Sequence, residues 1–72
     1  MSIIERAEFL LNLMREGGQE RYTGDWLKQK SQFSVEEINL IVIYLETMDC
    51  VEIEESAKPG PYCFISVKLS VK

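Results

Sequence analysis

The sequence predicts an α+β domain of three helices followed by a β-hairpin. Two capping boxes, each beginning with serine, stand before stretches whose apolar residues recur at helical spacing. Near the end of the chain, two segments that alternate apolar and polar residues flank a turn-forming Ser-Ala-Lys-Pro-Gly-Pro sequence. Because a chain of 72 residues rarely forms more than one domain, we expect a single domain over residues 1–72.

The first helix is predicted to begin after Ser2, whose hydroxyl can cap the backbone while Glu5 completes the capping box. Gly17 and Gly18 should end it, because glycine is unfavourable inside a helix and common just after one. The apolar residues at helical spacing that we expect to face the core are Ile3, Ile4, Ala7, Leu10, Leu11 and Met14.

A polar connector and a short second helix should follow. The connector covers residues 19–22 and has room for a very short strand around Arg21 and Tyr22. Thr23 can then cap a helix that runs to about residue 30. Trp26 and Leu27 supply its apolar contacts, and we interpret Trp26 as an anchor in the core because a small domain needs large side chains to fill its centre.

The third helix is the most strongly signalled element and should cover residues 35–48, after the capping box of Ser34 and Glu37. At about 100° per residue, the side chains of this helix fall on two opposite sides. The side predicted to face the core carries Val35, Ile38, Ile41, Val42, Leu45 and Met48. The opposite side carries Glu36, Asn39, Leu40, Ile43, Glu46 and Thr47.

The hairpin should consist of one strand at Val51–Glu55 and another over residues 62–71. Alternation along the second strand assigns one face to the core and the other to the surface. The residues predicted to face the core are Cys63, Ile65, Val67, Leu69 and Val71, and those predicted to point outward are Tyr62, Phe64, Ser66, Lys68, Ser70 and Lys72. We interpret Cys50 and Cys63 as small buried hydrophobic residues.

The order of these elements, with Tyr-Thr-Gly-Asp-Trp-Leu-Lys-Gln-Lys at residues 22–30 leading into the third helix, resembles the winged helix-turn-helix superfamily. The resemblance covers nearly the whole chain and rests on hydrophobic spacing rather than on an invariant motif. It implies a small winged-helix domain in which the second helix supports the third, the recognition helix, and the hairpin is the wing. This scaffold serves both DNA-binding proteins and protein-interaction modules.

The charge of the central segment favours the second of these functions. Residues 31–57 contain seven acidic side chains and no lysine or arginine, in a chain of net charge −4. In a DNA-binding relative the outward face of the third helix enters the major groove, where carboxylates are repelled by phosphate. We therefore expect a regulatory or accessory domain that works through protein contacts, either as a homodimer or bound to another protein. The expected contact residues are Leu40, Ile43 and Thr47 on the third helix and Tyr62 and Phe64 on the hairpin.

Each of these assignments has an alternative. Leu40 and Ile43 would be core residues if the third helix were covered on more than one side. The Tyr62 and Phe64 rings could instead pack within the hairpin, and the carboxylates of its first strand could be either a solvated face or a mimic of nucleic-acid charge. The alternative function is a DNA-binding transcriptional regulator that contacts phosphates through Arg21, Lys28, Lys30 and Lys58. A third candidate is an accessory factor in transcription or translation.

Several function classes are not expected. The chain has no histidine, no glycine-rich phosphate loop, no G-x-S-x-G sequence and no cysteine pair at metal-binding spacing, so we expect neither an enzyme nor a bound cofactor or metal. The longest apolar run covers residues 40–45, which is too short to cross a bilayer, and the first residues include acids that a signal peptide avoids. These features predict a cytoplasmic protein that does not interact with membranes.

Overall fold

The computed structural model describes residues 2–55 and 60–70 and confirms the predicted α+β order of three helices followed by a two-stranded antiparallel hairpin. The helices are α1 at Ile3–Gly17, α2 at Gly24–Ser31 and α3 at Val35–Thr47. The strands are β1 at Val51–Glu55 and β2 at Phe64–Leu69. Val67 of β2 pairs with Ile53 on one side and with Tyr22 on the other, so the predicted short strand near Tyr22 is a single bridge on the outer edge of β2.

The helix ends have the causes that the sequence indicates. Complete capping boxes form at Ser2 and at Ser34, each with the glutamate three residues later. The Thr23 hydroxyl accepts a hydrogen bond of 3.2 Å from the Trp26 backbone N–H at the start of α2. Gly18 ends α1 in the left-handed region, with φ of 65°, where a residue without Cβ is favoured.

All three helices and both strands contribute to one core. Its largest fully buried side chain is Tyr22, whose hydroxyl donates to the Met14 carbonyl and accepts from the Gln19 N–H at 2.9 Å. Trp26 is only partly buried and packs against the Tyr22 ring, with 4.6 Å between the centroids. Tyr22 was predicted to lie in the connector, so the sequence did not reveal it as the central aromatic residue. Among the described residues, the buried apolar ones are Ala7, Leu10, Leu11, Met14, Tyr22, Leu27, Ile38, Ile41, Val42, Leu45, Val51, Phe64 and Val67.

Some residues predicted to face the core lie at the surface instead. Ile4 is 56% exposed and Met48 55% exposed, and Ile3 is also exposed. Ile3 and Ile4 lie in the first turn of α1, and Met48 follows the last turn of α3. On both helices, the row of apolar residues therefore extends beyond the part that neighbouring elements cover.

The predicted facing of the second strand is wrong at its beginning, because a β-bulge interrupts the alternation. Glu54 lies opposite Ser66 and Glu55 lies opposite Phe64, so Ile65 is an extra residue with no partner on β1. Phe64 is consequently buried in the core, whereas Ile65 is 51% exposed and Cys63 is exposed as well. The predicted outward position of Phe64 and the predicted burial of Cys63 and Ile65 are corrected accordingly. Ser66, also predicted to point outward, is buried and its hydroxyl contacts Arg21 and Glu54. Val71, Lys72 and the turn residues 56–59 lie outside the described residues.

Candidate protein-interaction surface

The outward face of α3 presents apolar side chains to solvent. Leu40 is 61% exposed and Ile43 is 48% exposed, as the helical projection predicted, so neither side chain is a core residue. The Thr47 hydroxyl donates to the Ile43 carbonyl at 2.9 Å, a bond within the helix. The exposed apolar surface on this face therefore belongs to Leu40 and Ile43.

A cleft of about 240 Å³ lies between this face and the hairpin, and we call it the acidic cleft. Ile43, Ile53 and Cys63 are its less polar lining residues, and the acidic residues Glu46 and Glu55 also line it. Among the residues that the structure describes, none of those lining the cleft is lysine or arginine. The acidic cleft thus combines an apolar interior with negative charge, which suits an apolar side chain that is flanked by basic ones.

The side chain of Asn39 holds the hairpin against the outward face of α3. Its amide nitrogen donates to the Pro61 carbonyl at 2.9 Å, and its amide oxygen accepts from the Cys63 backbone N–H at 3.0 Å. Both ends of the amide are therefore engaged with the segment that leads into β2. Asparagine can read base edges in DNA-binding proteins, but here the Asn39 amide is hydrogen-bonded within the domain instead.

Tyr62 faces α2. A Cβ atom built on Gly24 would lie only 2.5–2.6 Å from the Tyr62 ring atoms, so glycine permits this close approach. The Tyr62 hydroxyl donates to the Asp25 carboxylate at 3.3 Å, and the ring packs against the buried Phe64 ring with 5.6 Å between centroids. Burial, the Asp25 charge and this hydrogen bond together raise the pKa of Tyr62 above its ordinary value. The expected pair of exposed aromatic rings is absent, because Phe64 is in the core and Tyr62 is half-buried against α2.

The basic residues considered for phosphate contact have different surroundings. The Arg21 guanidinium lies 3.4 Å from the Ser66 hydroxyl and 3.8 Å from the Glu54 carboxylate, on the sheet. The Lys30 ammonium lies 6.0 Å from the centroid of the Trp26 ring. Lys28 is exposed on α2 two residues before Lys30, a spacing that turns the two side chains in different directions. Lys58 lies outside the described residues.

The carboxylates of β1 are partly compensated within the sheet. Glu52 lies opposite Lys68 and their charged groups are 3.3 Å apart, while Glu54 contacts Arg21 and accepts a hydrogen bond from Ser66. This arrangement favours the interpretation of these two carboxylates as a solvated, paired strand face. Within residues 2–55 and 60–70, Glu46 forms no ion pair, so its charge on the acidic cleft is uncompensated by those residues.

A second concave surface, about 350 Å³ in volume, lies between α1 and the C-terminal part of α3, and we call it the α1 groove. The sequence did not reveal this groove because Ile4 and Met48, which line it, were predicted to face the core. Both residues lie at helix ends, and this position could have indicated that they are exposed. The lining residues are Ile4, Ala7, Glu8, Leu11, Asn12, Arg15, Tyr44, Leu45, Met48 and Cys50.

In the part of the chain that the structure describes, no group of three cysteine or acidic residues is placed to hold a metal ion, and no helix there has the length and apolar character needed to cross a membrane. Comparison of the chain with protein families, with curated proteins and with solved structures finds no match. A functional proposal therefore depends on the geometry of the surfaces described above.

Proposed function

We propose that the chain is a small winged-helix regulatory or accessory domain that acts through protein–protein contacts at the acidic cleft. The observation that carries the proposal is the exposure of Leu40 and Ile43 beside a cleft that Glu46 and Glu55 line. Apolar side chains grouped at the surface mark interaction sites more often than isolated ones do. The surrounding carboxylates then select the charge of the partner.

The partner that fits this site is a protein segment with a large apolar side chain next to lysine or arginine. The apolar side chain would enter between Ile43 and Ile53, where it displaces water from both. Its basic neighbours would lie beside Glu46 and Glu55. Leu40, on the same face of α3, would extend the apolar contact beyond the cleft.

DNA binding has less support than protein binding. Both groups of the Asn39 amide are bonded to the hairpin backbone, and Arg21 is close to Glu54. A duplex placed on the outward face of α3 would bring phosphates towards carboxylates without the lysine or arginine contacts that normally supply affinity. We also propose that the domain acts in the cytoplasm, because Cys50 and Cys63 are both free and the Cys63 thiol is exposed.

A peptide selection tests the proposed site. A library of random linear peptides is selected on the purified domain, and the enriched peptides are titrated against the wild type and Ile43→Glu. We expect enriched sequences to pair Leu, Ile or Phe with Lys or Arg. We expect Ile43→Glu to weaken their binding by about tenfold or more, since it removes the apolar wall and sets a charge against the apolar side chain of the peptide. Ile3→Glu is the matched control, because Ile3 is an exposed isoleucine that does not line the cleft.

Two results would overturn the proposal. One is enrichment of peptides without this pattern, or with affinity that Ile43→Glu leaves unchanged. The other is tight, salt-sensitive binding of duplex DNA in a parallel low-salt titration, which would favour the DNA-binding alternative. Thermal unfolding of Ile43→Glu accompanies both measurements, and a transition close to that of the wild type shows that the variant is folded.

A further inference from the structure

The α1 groove has a pattern of charge that matches a second copy of itself. Glu8, Leu11, Asn12 and Arg15 line it from α1, at spacings that place them along one side of the helix, with Ile4 one turn before Glu8. Glu8 and Arg15 are thus an acid and a base two turns apart on the same side. Within the described residues neither one forms an ion pair.

The positions of these two charges are symmetric. Glu8 and Arg15 lie equally far from the midpoint between Leu11 and Asn12. If a second α1 packs antiparallel across a twofold axis at this midpoint, Glu8 of each copy faces Arg15 of the other copy. Such an interface is self-complementary, as a twofold dimer requires, and it contains two identical ion pairs.

We propose that the chain forms a homodimer in which two copies pack their α1 grooves together, with the α1 helices antiparallel. Exposed Ile4 and Met48 supply apolar surface at the groove, and contact with the second copy removes this surface from water. A domain of 72 residues buries a modest share of its surface on folding, so association adds to its stability. The described residues of the acidic cleft show no comparable self-complementarity, since the charged ones among them, Glu46 and Glu55, are both acidic.

Charge reversal tests this arrangement by sedimentation equilibrium over a concentration series. The wild type should dimerise, and Glu8→Arg and Arg15→Glu should each weaken the dimer by about tenfold or more, because each converts two attractive contacts into repulsive ones. The double variant Glu8→Arg/Arg15→Glu should have the same dimer dissociation constant as the wild type. An equimolar mixture of the two single variants should also dimerise, since every contact across the axis then joins opposite charges.

The controls separate this interface from the acidic cleft. Ile4→Glu should weaken the dimer, whereas Ile3→Glu and Ile43→Glu should leave it unchanged, since neither residue lines the α1 groove. A wild type that stays monomeric over the whole series would overturn the proposal, as would single variants that do not associate when mixed. Loss of the dimer in Ile43→Glu would overturn it too, because the interface would then lie on the acidic cleft.

Discussion

Both sides of α3 carry large apolar residues, yet these residues have different surroundings in the fold. Ile38, Ile41, Val42 and Leu45 on the inner side are buried against the other helices and the sheet. Leu40 and Ile43 on the outer side are about half exposed or more. Hydrophobic character alone therefore does not show which residues of a helix hold the domain together. The inner side stabilises the fold, and the outer side is left available for a partner.

The difference between the two sides of α3 can be tested most strongly by truncating one isoleucine on each side. Ile41→Ala should lower the free energy of unfolding by about 2–5 kcal/mol, because it leaves a cavity in a packed core. Ile43→Ala should change it by about 0.5 kcal/mol or less, as expected for a surface position. Urea denaturation of both variants at low protein concentration gives the two values. A loss in Ile43→Ala as large as that in Ile41→Ala would mean that the outer side is covered in solution.

A second test concerns the contact that positions the start of β2 beside the outer side of α3. Gly24→Ala should destabilise the domain by about 1–3 kcal/mol, because the added methyl group overlaps the Tyr62 ring and forces it to move. In a Tyr62→Ala background, the same change should be neutral or slightly stabilising, since alanine favours helix more than glycine does. Thermal unfolding of the four proteins measures this coupling. An equal loss of stability from Gly24→Ala in both backgrounds would show that the position of the Tyr62 ring does not depend on Gly24.

The fold could be predicted from the sequence because its signals are local. The two capping boxes, Thr23 and the glycines after α1 act within a few residues of the helix ends that they define. The exposure of Leu40 and Ile43 also followed from one local quantity, the angle per residue in a helix. Local chemistry was therefore sufficient to predict the helix ends and the exposed residues of α3.

The parts that the sequence did not reveal depend on contacts between distant segments. The burial of Phe64 follows from the bulge at Ile65, and a regular alternation of residues gives no sign of it. The exposure of Ile4 and Met48 depends on where the neighbouring elements end, and the α1 groove exists for the same reason. The role of Asn39 likewise needs a backbone segment more than 20 residues away along the chain.

The smallest expected effect comes from Asn39, on the outer side of α3. On this side, a polar residue should contribute more to the stability of the fold than its apolar neighbour does. Asn39→Ala removes the bonds to Pro61 and Cys63 and should lower the free energy of unfolding by about 1–2 kcal/mol. Leu40→Ala, its adjacent and more exposed control, should change it by about 0.5 kcal/mol or less. Amide exchange at Cys63 should accelerate in Asn39→Ala and not in Leu40→Ala, because only the first variant loses the acceptor of that N–H. Unchanged exchange together with unchanged stability in Asn39→Ala would mean that this side chain does not hold the hairpin against α3. The apolar side chains there would then be the first contacts to consider for that role, and the outer side would resemble the inner side more than the structure indicates.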